Sequence, residues 1–523
     1  MKKRQVVSLA LAGAMALSVT ACGGGQGTDT KAPAADSGKN EAAADSGKSD
    51  SGKPVPIRWL TTGDAAAKVI KEDDRIVAAI NEKLGIDLKV EIVPENNTEK
   101  VNVAMASGDF PDVVTGAYGT SATQQWIDDG MVIPLTPYMD KLPNIKAWLD
   151  DYQWTAVNGD YYGIPFITQY QAANTLLMMR KDWLDKLGLS YPKTLDEMKT
   201  VLTAFTNDDP DGNGKNDTYG FSSEKPSSTN GQTPFDWVFF AYGLPHGDYS
   251  LDADDQVIPI FEDPSFIPAM HYIKDLWDSG VVDPELMLND IPKKEEKFYQ
   301  GKIGAMPATV YRHINRHENS LKELFPDGEL CYDMPPAGPD GALGMSRQGK
   351  NGFLTCVTTA CKNQDKAAEF VDFMISEEGN HLLRYGIEGI HYTKEGDKIV
   401  YNMEERAKDA FSDNGWAHAL AWGSFYWPLE SGFMPDTEVG KERALASVEV
   451  ASKCQVPNLV KQKTPAEVQD GSAVNDIFIQ YFSDMLQGKI GIEEGTAKLS
   501  EAWRSQGGEE ILKEANDVYH ATK

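Results

Sequence analysis

Strand and helix signals alternate along the chain from Pro56 onward, and this alternation is the feature that most restricts the possible fold. Short apolar runs with strand-like patterning occur at 57–60, 87–93 and 113–114, and segments with helical apolar spacing occur at 74–84 and 98–106. Strands separated by helices in this way form right-handed crossovers of a parallel sheet. The sequence therefore predicts an α/β protein.

A second series of signals begins near Gln169, so a second core is expected. The strand-like runs are 172–179, 303–306 and 353–357, and the helical segments are 181–187, 474–486 and 492–503. Gly188 is expected as a helix C-cap. Thr194 and Glu197 match a capping box, and Pro264 is expected in the first turn of a further helix.

The first 55 residues do not have the composition of a folded domain. Basic residues precede an apolar stretch, 6–19, that is shorter than the roughly 20 residues needed to cross a bilayer and is typical of a secretory signal. The sequence 19–22 resembles a bacterial lipobox, which implies that 1–21 is a signal peptide and that Cys22 is lipidated. An ordinary signal peptide with an incidental cysteine is the alternative. Residues 22–55 predict a disordered tether, because they bury too little apolar surface to fold.

Length and charge limit the class of protein further. The segment from Pro56 to Lys523 is too long for one ordinary core, which predicts two or more domains. The formal net charge of −29 argues against nucleic acid as a partner. No later stretch has the length and apolarity of a membrane span, so we expect the lipid to be the only membrane anchor.

Six short motifs follow one another along nearly the whole mature chain. They are Met105–Asp112 (MASGDFPD), Tyr162–Pro165 (YGIP), Leu177–Gly188 (LMMRKDWLDKLG), Pro192–Glu197 (PKTLDE), Gly301–Ala305 (GKIGA) and Tyr385–His391 (YGIEGIH). Any one of these motifs is weak evidence, but the ordered series is strong. In this series the chain resembles the family 1 extracellular solute-binding proteins of ABC importers, and within them the lipoprotein subgroup that handles oligosaccharides.

The resemblance implies a two-lobed, type II periplasmic-binding-protein-like fold, in which hinge strands join the lobes around a ligand cleft. It places lobe 1 at 56–165 plus about 305–385, and lobe 2 at about 166–304 plus 386–523. It further implies a lipid-anchored monomer on the extracellular face of the membrane, which binds an oligosaccharide, passes it to ABC permease subunits and catalyses no reaction. A ligand that binds the closed state better shifts the population towards it.

An Asp- and Asn-rich loop between Asp209 and Asp217 has the spacing of the front of an EF-hand calcium loop, with glycine at its sixth position. The expected ligands are Asp209, Asp211, Asn213, the Lys215 carbonyl, Asp217 and Thr218. Gly220 stands where an EF-hand has its bidentate glutamate, and Thr218 stands where the solute-binding family has an acidic residue. A polar turn that binds no metal is the alternative. If calcium binds, we expect a structural role rather than contact with ligand.

Aromatic residues crowd the segment 416–427 (WAHALAWGSFYW), and flat rings suit the apolar faces of sugars. For each ring, a place in the core is the alternative. Other candidates follow strand ends, where open α/β sheets bind ligands. The predicted ligand-binding residues are Trp59, Tyr118, Gln169, Tyr170, Trp237, Tyr311, Arg312, Trp416, Trp422 and Trp427.

Three questions stay open at the level of sequence. The first is whether Arg312, His313 and Arg316 contact an acidic sugar or form a solvated helix face. The pairing of Cys331, Cys356, Cys361 and Cys454 is undetermined. Serine-hydrolase, zinc-protease and phosphate-loop motifs are missing from the sequence, but acidic residues are numerous enough to leave a glycan-degrading enzyme as an alternative, beside a sensory or adhesive lipoprotein.

Overall fold

The fold is described here from a computed structural model of the chain. It describes residues 53–522 except 63–68, 94–97, 109, 119–120, 148–155, 158, 166–174, 228–232, 246–248, 311, 347–351, 397, 413–414, 418–437 and 461–462. The predicted signal peptide, Cys22 and nearly all of the predicted tether lie outside the described residues. Residues 53–523 form one compact unit.

The described elements alternate as the sequence predicts through the first part of the chain. The strands are β1 Val55–Thr62, β2 Ile86–Val93, β3 Val113–Tyr118, β4 Gly163–Pro165, β5 Thr175–Arg180, β6 Tyr219–Phe221, β7 Tyr249–Leu251, β8 Val257–Pro259, β9 Ile303–Thr309, β10 Leu330–Cys331, β11 Met345–Ser346, β12 Gly352–Val357, β13 Tyr392–Glu395, β14 Lys398–Tyr401, β15 Phe411–Ser412, β16 Gly415–Trp416 and β17 Gln455–Val456. The α-helices are α1 Arg75–Leu84, α2 Thr98–Ala106, α3 Ser121–Asp128, α4 Pro143–Ala147, α5 Lys181–Leu187, α6 Leu195–Asn207, α7 Asp236–Ala241, α8 Phe266–Asp278, α9 Ile291–Tyr299, α10 Asn319–Lys322, α11 Gln364–Met374, α12 Glu377–Tyr385, α13 Met403–Lys408, α14 Glu438–Cys454, α15 Pro465–Leu486, α16 Ile492–Trp503 and α17 Glu509–Thr522.

The first sheet has the strand order β2-β1-β3-β12-β4. β1, β2 and β3 are parallel, whereas β12 runs antiparallel to both β3 and β4. α1 packs on this sheet through Ile76 and Ile80, which are fully buried. Its start is fixed by Asp74, whose carboxylate accepts the backbone N–H groups of Ile76 and Val77 at 2.9 and 3.2 Å. Asp74 is therefore the N-cap, and the helix predicted for 74–84 begins one residue later, at Arg75.

The second sheet has the order β10-β5-β9-β6. β5 and β9 are antiparallel, and β6 runs parallel to β9. α5 ends at Gly188, whose φ of 67° is left-handed, and this confirms the predicted C-cap. Thr194 caps α6 by accepting the Glu197 N–H at 3.2 Å, and Glu197 reaches back to the Lys193 N–H at 2.7 Å. The capping box thus closes one residue earlier than expected.

Two segments pack elsewhere than the predicted lobe bounds place them. The interval 305–385 was assigned to lobe 1, but β9 and β10 within it belong to the second sheet because they pair with β5. The interval 386–523 was assigned to lobe 2, but Ala410, Phe411 and Trp416 pack in the core of the first sheet. The chain therefore stays with the second core as far as Met345 in β11, passes to the first sheet with β12, and returns to the second core with α14.

Smaller differences concern helix ends and cysteines. α8 begins at Phe266, so Pro264 precedes the helix instead of lying in its first turn. α15 begins at Pro465, nine residues before the expected 474, because Thr464 caps it there by accepting the Glu467 N–H. The four cysteines within the described residues are free thiols. Among the described residues, we find no helix with the length and apolarity needed to cross a membrane.

Candidate functional site

The parallel strands of the first sheet end at a common edge. β12 is antiparallel to them and starts there, with Gly352 opposite Tyr118 and Leu354 opposite Pro165. We call this end of the sheet, marked by Thr62, Tyr118, Pro165 and Gly352, the first edge. In open α/β sheets, the carboxyl ends of the strands are where ligands bind.

The second sheet has a corresponding edge. Thr309 at the end of β9 lies opposite Thr175 at the start of β5. β6 ends earlier along β9, at Phe221 opposite Ala305. We call the end marked by Thr175 and Thr309 the second edge. It is the carboxyl end of the parallel pair β6 and β9, so it meets the same expectation for ligand binding.

The two edges are joined directly by the chain. The segment 166–174 connects Pro165 at the first edge to Thr175 at the second. A second segment, 347–351, connects β11, whose Met345 packs in the second core, to Gly352 at the first edge, and it can span at most about 22 Å when fully extended. The strand ends where ligands are expected to bind thus belong to two cores that these chain segments connect. Ligand sites between domains are formed in this way.

Threonine hydroxyls line the described part of the first sheet near its edge. The Thr115 and Thr355 hydroxyls lie 2.9 Å apart, and the Trp59 indole N–H donates to Thr115 at 3.0 Å. Thr62, at the end of β1, is 4% exposed, and its hydroxyl has no hydrogen-bond partner among the described residues. A buried hydroxyl without a partner costs free energy, so Thr62 is a polar group available at the first edge. The sequence already marks Thr62 as a candidate for the ligand cleft, because it ends the first predicted strand.

Three predicted ligand-binding tryptophans are core residues, which corrects the sequence prediction. Trp59 is 1% exposed and packs edge-on against Phe370 in the first core. Trp237 is 1% exposed and packs edge-on against Phe221 in the second core. Trp416 is fully buried, and its indole N–H donates to Asp74 at 2.9 Å. Rings with no exposed surface cannot stack on a sugar.

Most of the other predicted ligand-binding residues cannot be placed by side chain. Tyr118 is at the end of β3 at the first edge, and its side chain lies outside the described residues. Arg312 is half-buried and precedes a π-helix, His313–Glu318, just beyond the second edge. The predicted residues that lie wholly outside the described part of the chain are Gln169, Tyr170, Tyr311, Trp422 and Trp427.

The π-helix resolves part of the question about its basic side chains. Arg316 donates to Glu295 at 3.0 Å, so its charge is paired within the protein. His313 is 2% exposed and packs edge-on against Tyr332. Burial lowers the pKa of His313 to about 3, and the nearby Arg443 charge lowers it further. His313 is therefore a neutral core residue rather than part of a solvated helix face or a contact for an acidic sugar.

The predicted calcium loop folds tightly on itself. The Asn213 side-chain amide donates to Asp211 at 2.7 Å and to Asp217 at 3.1 Å, so both carboxylates converge on one positively polarised group. Asp209 adopts a φ of 48°, and its Oδ2 accepts the Gly214 N–H at 3.1 Å. Its Oδ1 is buried without a hydrogen-bond partner among the described residues. Loss of solvation raises the pKa of Asp211, and the charges of Asp209 and Asp217 add to this.

The oxygen donors of the loop suit a hard cation, but one of the predicted ligands does not face the loop. Oxygen groups converge and one buried carboxylate oxygen is unsatisfied, as a hard cation requires. Thr218 corrects the prediction: its hydroxyl is buried and donates to the Phe205 carbonyl at 2.8 Å, which turns it away from the loop. Within the described residues, no group of three or more Asp, Glu, His or Cys side chains is already arranged to hold a metal ion.

Two curated relatives and two solved structures match the chain over most of its length. It is 26% identical to lipoprotein LipO of Bacillus subtilis (strain 168), covering 85% of this chain and 88% of the relative. It is 27% identical to the polygalacturonan/rhamnogalacturonan-binding protein YtcQ of the same organism, covering 86% and 89%.

The solved structures share the fold. A human-milk-oligosaccharide (HMO)-binding, ABC-transporter-associated solute-binding protein of Bifidobacterium longum infantis aligns with a TM-score of 0.71 at 20% identity, covering 90% of this chain and 99% of that one. An EF-hand mutant of the substrate-binding protein FusA of S. pneumoniae, in complex with fructo-nystose, aligns with a TM-score of 0.65 at 20% identity, covering 90% and 100%. These likenesses confirm the predicted α/β, two-lobed binding-protein fold.

A family model settles the class of protein. The model described as bacterial extracellular solute-binding protein matches residues 60–381, which is more than half of the chain and includes strands of both sheets. The chain belongs to the family of bacterial extracellular solute-binding proteins.

Proposed function

We propose that this protein captures an oligosaccharide between its two sheets and delivers it to the permease subunits of an ABC importer. The observation that carries the proposal is the pair of strand ends suited to ligand binding, the first and second edges, which the segment 166–174 joins. The names of YtcQ and of the Bifidobacterium structure support a carbohydrate as the ligand class. Binding and release require no covalent chemistry from this chain, so we propose a binding protein rather than an enzyme.

Isothermal titration against a glycan panel tests the ligand class. The panel contains kestose, galactobiose, digalacturonate and a human milk oligosaccharide, with a tripeptide as the non-carbohydrate comparison. We expect saturable binding of at least one glycan and none of the tripeptide. Binding of the tripeptide alone contradicts the carbohydrate assignment, and release of shorter sugars from a glycan by the pure protein contradicts the binding role.

We further propose that Cys22 carries a lipid anchor on the extracellular face of the membrane and that 22–55 is the tether. The lipobox-like sequence supports this, and LipO is named a lipoprotein. Mass spectrometry of the membrane-extracted protein is expected to show an N-terminal diacylglyceryl cysteine. Replacing Cys22 with Ser is expected to release the protein from the membrane fraction, and retention of this variant contradicts lipid anchoring.

We also propose that the loop 209–217 binds calcium and that calcium stabilises this part of the fold. The unsatisfied Asp209 oxygen and the convergent carboxylates support the site, and FusA is a structural neighbour with an EF-hand. Asp209, Asp211, Asn213 and Asp217 would supply side-chain oxygens and Lys215 its carbonyl. Calcium bound only to the folded state raises the melting temperature by mass action. Asp217→Asn is expected to abolish the difference between calcium and chelator, and an unchanged melting curve after thorough chelation of the wild type contradicts the site.

A further inference from the structure

The chain beyond β6 continues along β9 at the second edge. The Ser222 N–H donates to the Ala305 carbonyl at 3.1 Å, and the Lys225 N–H donates to the Asn289 carbonyl at 2.9 Å. Asn289 also donates from its side chain to the Ser222 hydroxyl at 3.1 Å. This backbone is therefore fixed on both sides of Glu224, a residue that sequence analysis did not single out.

Glu224 forms an ion pair with a buried lysine at this edge. Lys294 of α9 donates to Glu224 Oε2 at 2.5 Å and to the Pro307 carbonyl at 3.1 Å. Pro307 lies two residues before Thr309, the end of β9. The Lys294 side chain is 6% exposed, whereas that of Glu224 is 43% exposed. The pair thus has a buried cationic end and a solvent-facing carboxylate end.

Such a pair suits the recognition of hydroxyl groups. A carboxylate only accepts hydrogen bonds, and sugar hydroxyls are donors. The Oε2 atom of Glu224 accepts the hydrogen bond from Lys294, whereas no described residue donates to its Oε1 atom. Hydrogen bonds to a charged acceptor are stronger than neutral ones, and an acceptor that is already fixed loses little entropy when it binds. Lys294 balances the charge of Glu224 and holds its position.

We propose that Glu224, positioned by Lys294, binds ligand hydroxyl groups and makes the site select a neutral glycan over a uronic-acid glycan. The inference rests on the proposed carbohydrate function and deepens it. A neutral sugar donates a hydroxyl hydrogen to the carboxylate. A uronate places a second carboxylate near it, and two like charges brought together without a cation between them disfavour binding.

Titration calorimetry with two matched disaccharides tests the selectivity. Galactobiose and digalacturonate differ at carbon 6, where the first has a hydroxymethyl group and the second a carboxylate. The wild type is expected to prefer galactobiose. Glu224→Gln is expected to weaken galactobiose binding by about 10- to 100-fold and to narrow the difference between the two sugars, because an amide is a weaker acceptor and carries no charge.

Two further variants separate binding from folding. Glu388→Gln is the matched control, because Glu388 is also half-exposed and paired with a lysine, Lys394 at 3.4 Å, but follows α12 in the first core. It is expected to bind as the wild type does. Glu224→Gln leaves Lys294 buried without a counter-charge, so the double variant with Lys294→Gln removes both charges. The double variant is expected to fold and still bind galactobiose weakly.

The possible results distinguish this inference from the function beneath it. If the wild type binds no glycan of the panel, the proposed function fails and the inference fails with it. If the wild type binds galactobiose and both Glu224 variants bind it within twofold of the wild type, the inference alone is overturned. A wild type that prefers digalacturonate also overturns it.

Discussion

Replacing Trp416 with Phe tests whether this ring belongs to the core or to the ligand site. Its indole N–H donates to Asp74 Oδ2 at 2.9 Å, and the same oxygen accepts the Ala410 N–H at 3.0 Å. Losing a hydrogen bond to a charged group costs about 1.5–3 kcal/mol. The space left by the smaller ring adds about 1–2 kcal/mol, part of the full cost of truncating a buried Trp. We expect the free energy of unfolding to fall by about 2.5–5 kcal/mol.

Trp237→Phe provides the matched control. Trp237 is as well buried as Trp416, but its indole N–H has no hydrogen-bond partner among the described residues. The control is therefore expected to lose only the packing contribution, about 1–2 kcal/mol. The difference between the two variants measures the hydrogen bond to Asp74.

The assay is urea-induced unfolding followed by far-ultraviolet circular dichroism, with the slope against urea checked for each variant. Glycan affinity is measured on the same preparations by calorimetry. We expect the Trp416 variant to unfold at lower urea and, while folded, to bind glycan as the wild type does. Unchanged unfolding combined with lost glycan binding would refute the core assignment and restore Trp416 to the ligand surface.

Two remaining predictions concern pH and packing. Burial lowers the pKa of both His313 and His317 to about 3, well below the ordinary histidine value of about 6.5, so between these pH values the folded protein keeps both rings neutral while the unfolded chain protonates them. The contribution of the two neutral rings to the free energy of unfolding is complete above about pH 6.5. It decreases as the pH falls towards 3, by about 1.4 kcal/mol per pH unit for each ring. Urea midpoints at pH 7 and pH 5 are expected to differ less for His313→Gln than for the wild type, and equal differences would contradict this. Gly304→Ala is expected to lower the urea midpoint strongly, because its Cβ would lie 2.1 Å from the Phe205 ring; an unchanged midpoint would show that the ring moves aside.

Local signals in the sequence located many elements of this fold accurately. The helical spacing of 74–84 predicted α1 to within one residue of its start, and the apolar pattern of 492–503 predicted α16 with the observed bounds. These features depend on residues within a few positions of each other. The lobe bounds failed because the placement of β9 depends on pairing with β5, more than a hundred residues earlier. Periodicity within a segment carries no information about its distant partner.

The same limit explains the errors at the site. The density of tryptophan in 416–427 predicts ligand contacts, but the direction of a ring depends on distant partners. Trp416 lies in the first core, where its indole N–H donates to Asp74, a residue 342 positions earlier in the chain. Glu224 has no local motif at all. Its role emerges only when Lys294 and the carbonyl of Pro307 are placed beside it.

A predicted ligand contact that lies within a strand is a core residue, whereas the polar residues that remain candidates for ligand binding lie at strand ends. Trp59 lies within β1, where the ladders to β2 and β3 hold the backbone and its side chain fills the core. Thr62 and Glu224 stand at or just beyond strand ends, where regular pairing stops and polar atoms are left without complete partners. In the proposed function, an oligosaccharide would donate hydroxyls to groups of this kind. A ligand that satisfied groups on both sheets would stabilise a closed arrangement more than an open one, and this differential binding would couple capture to delivery.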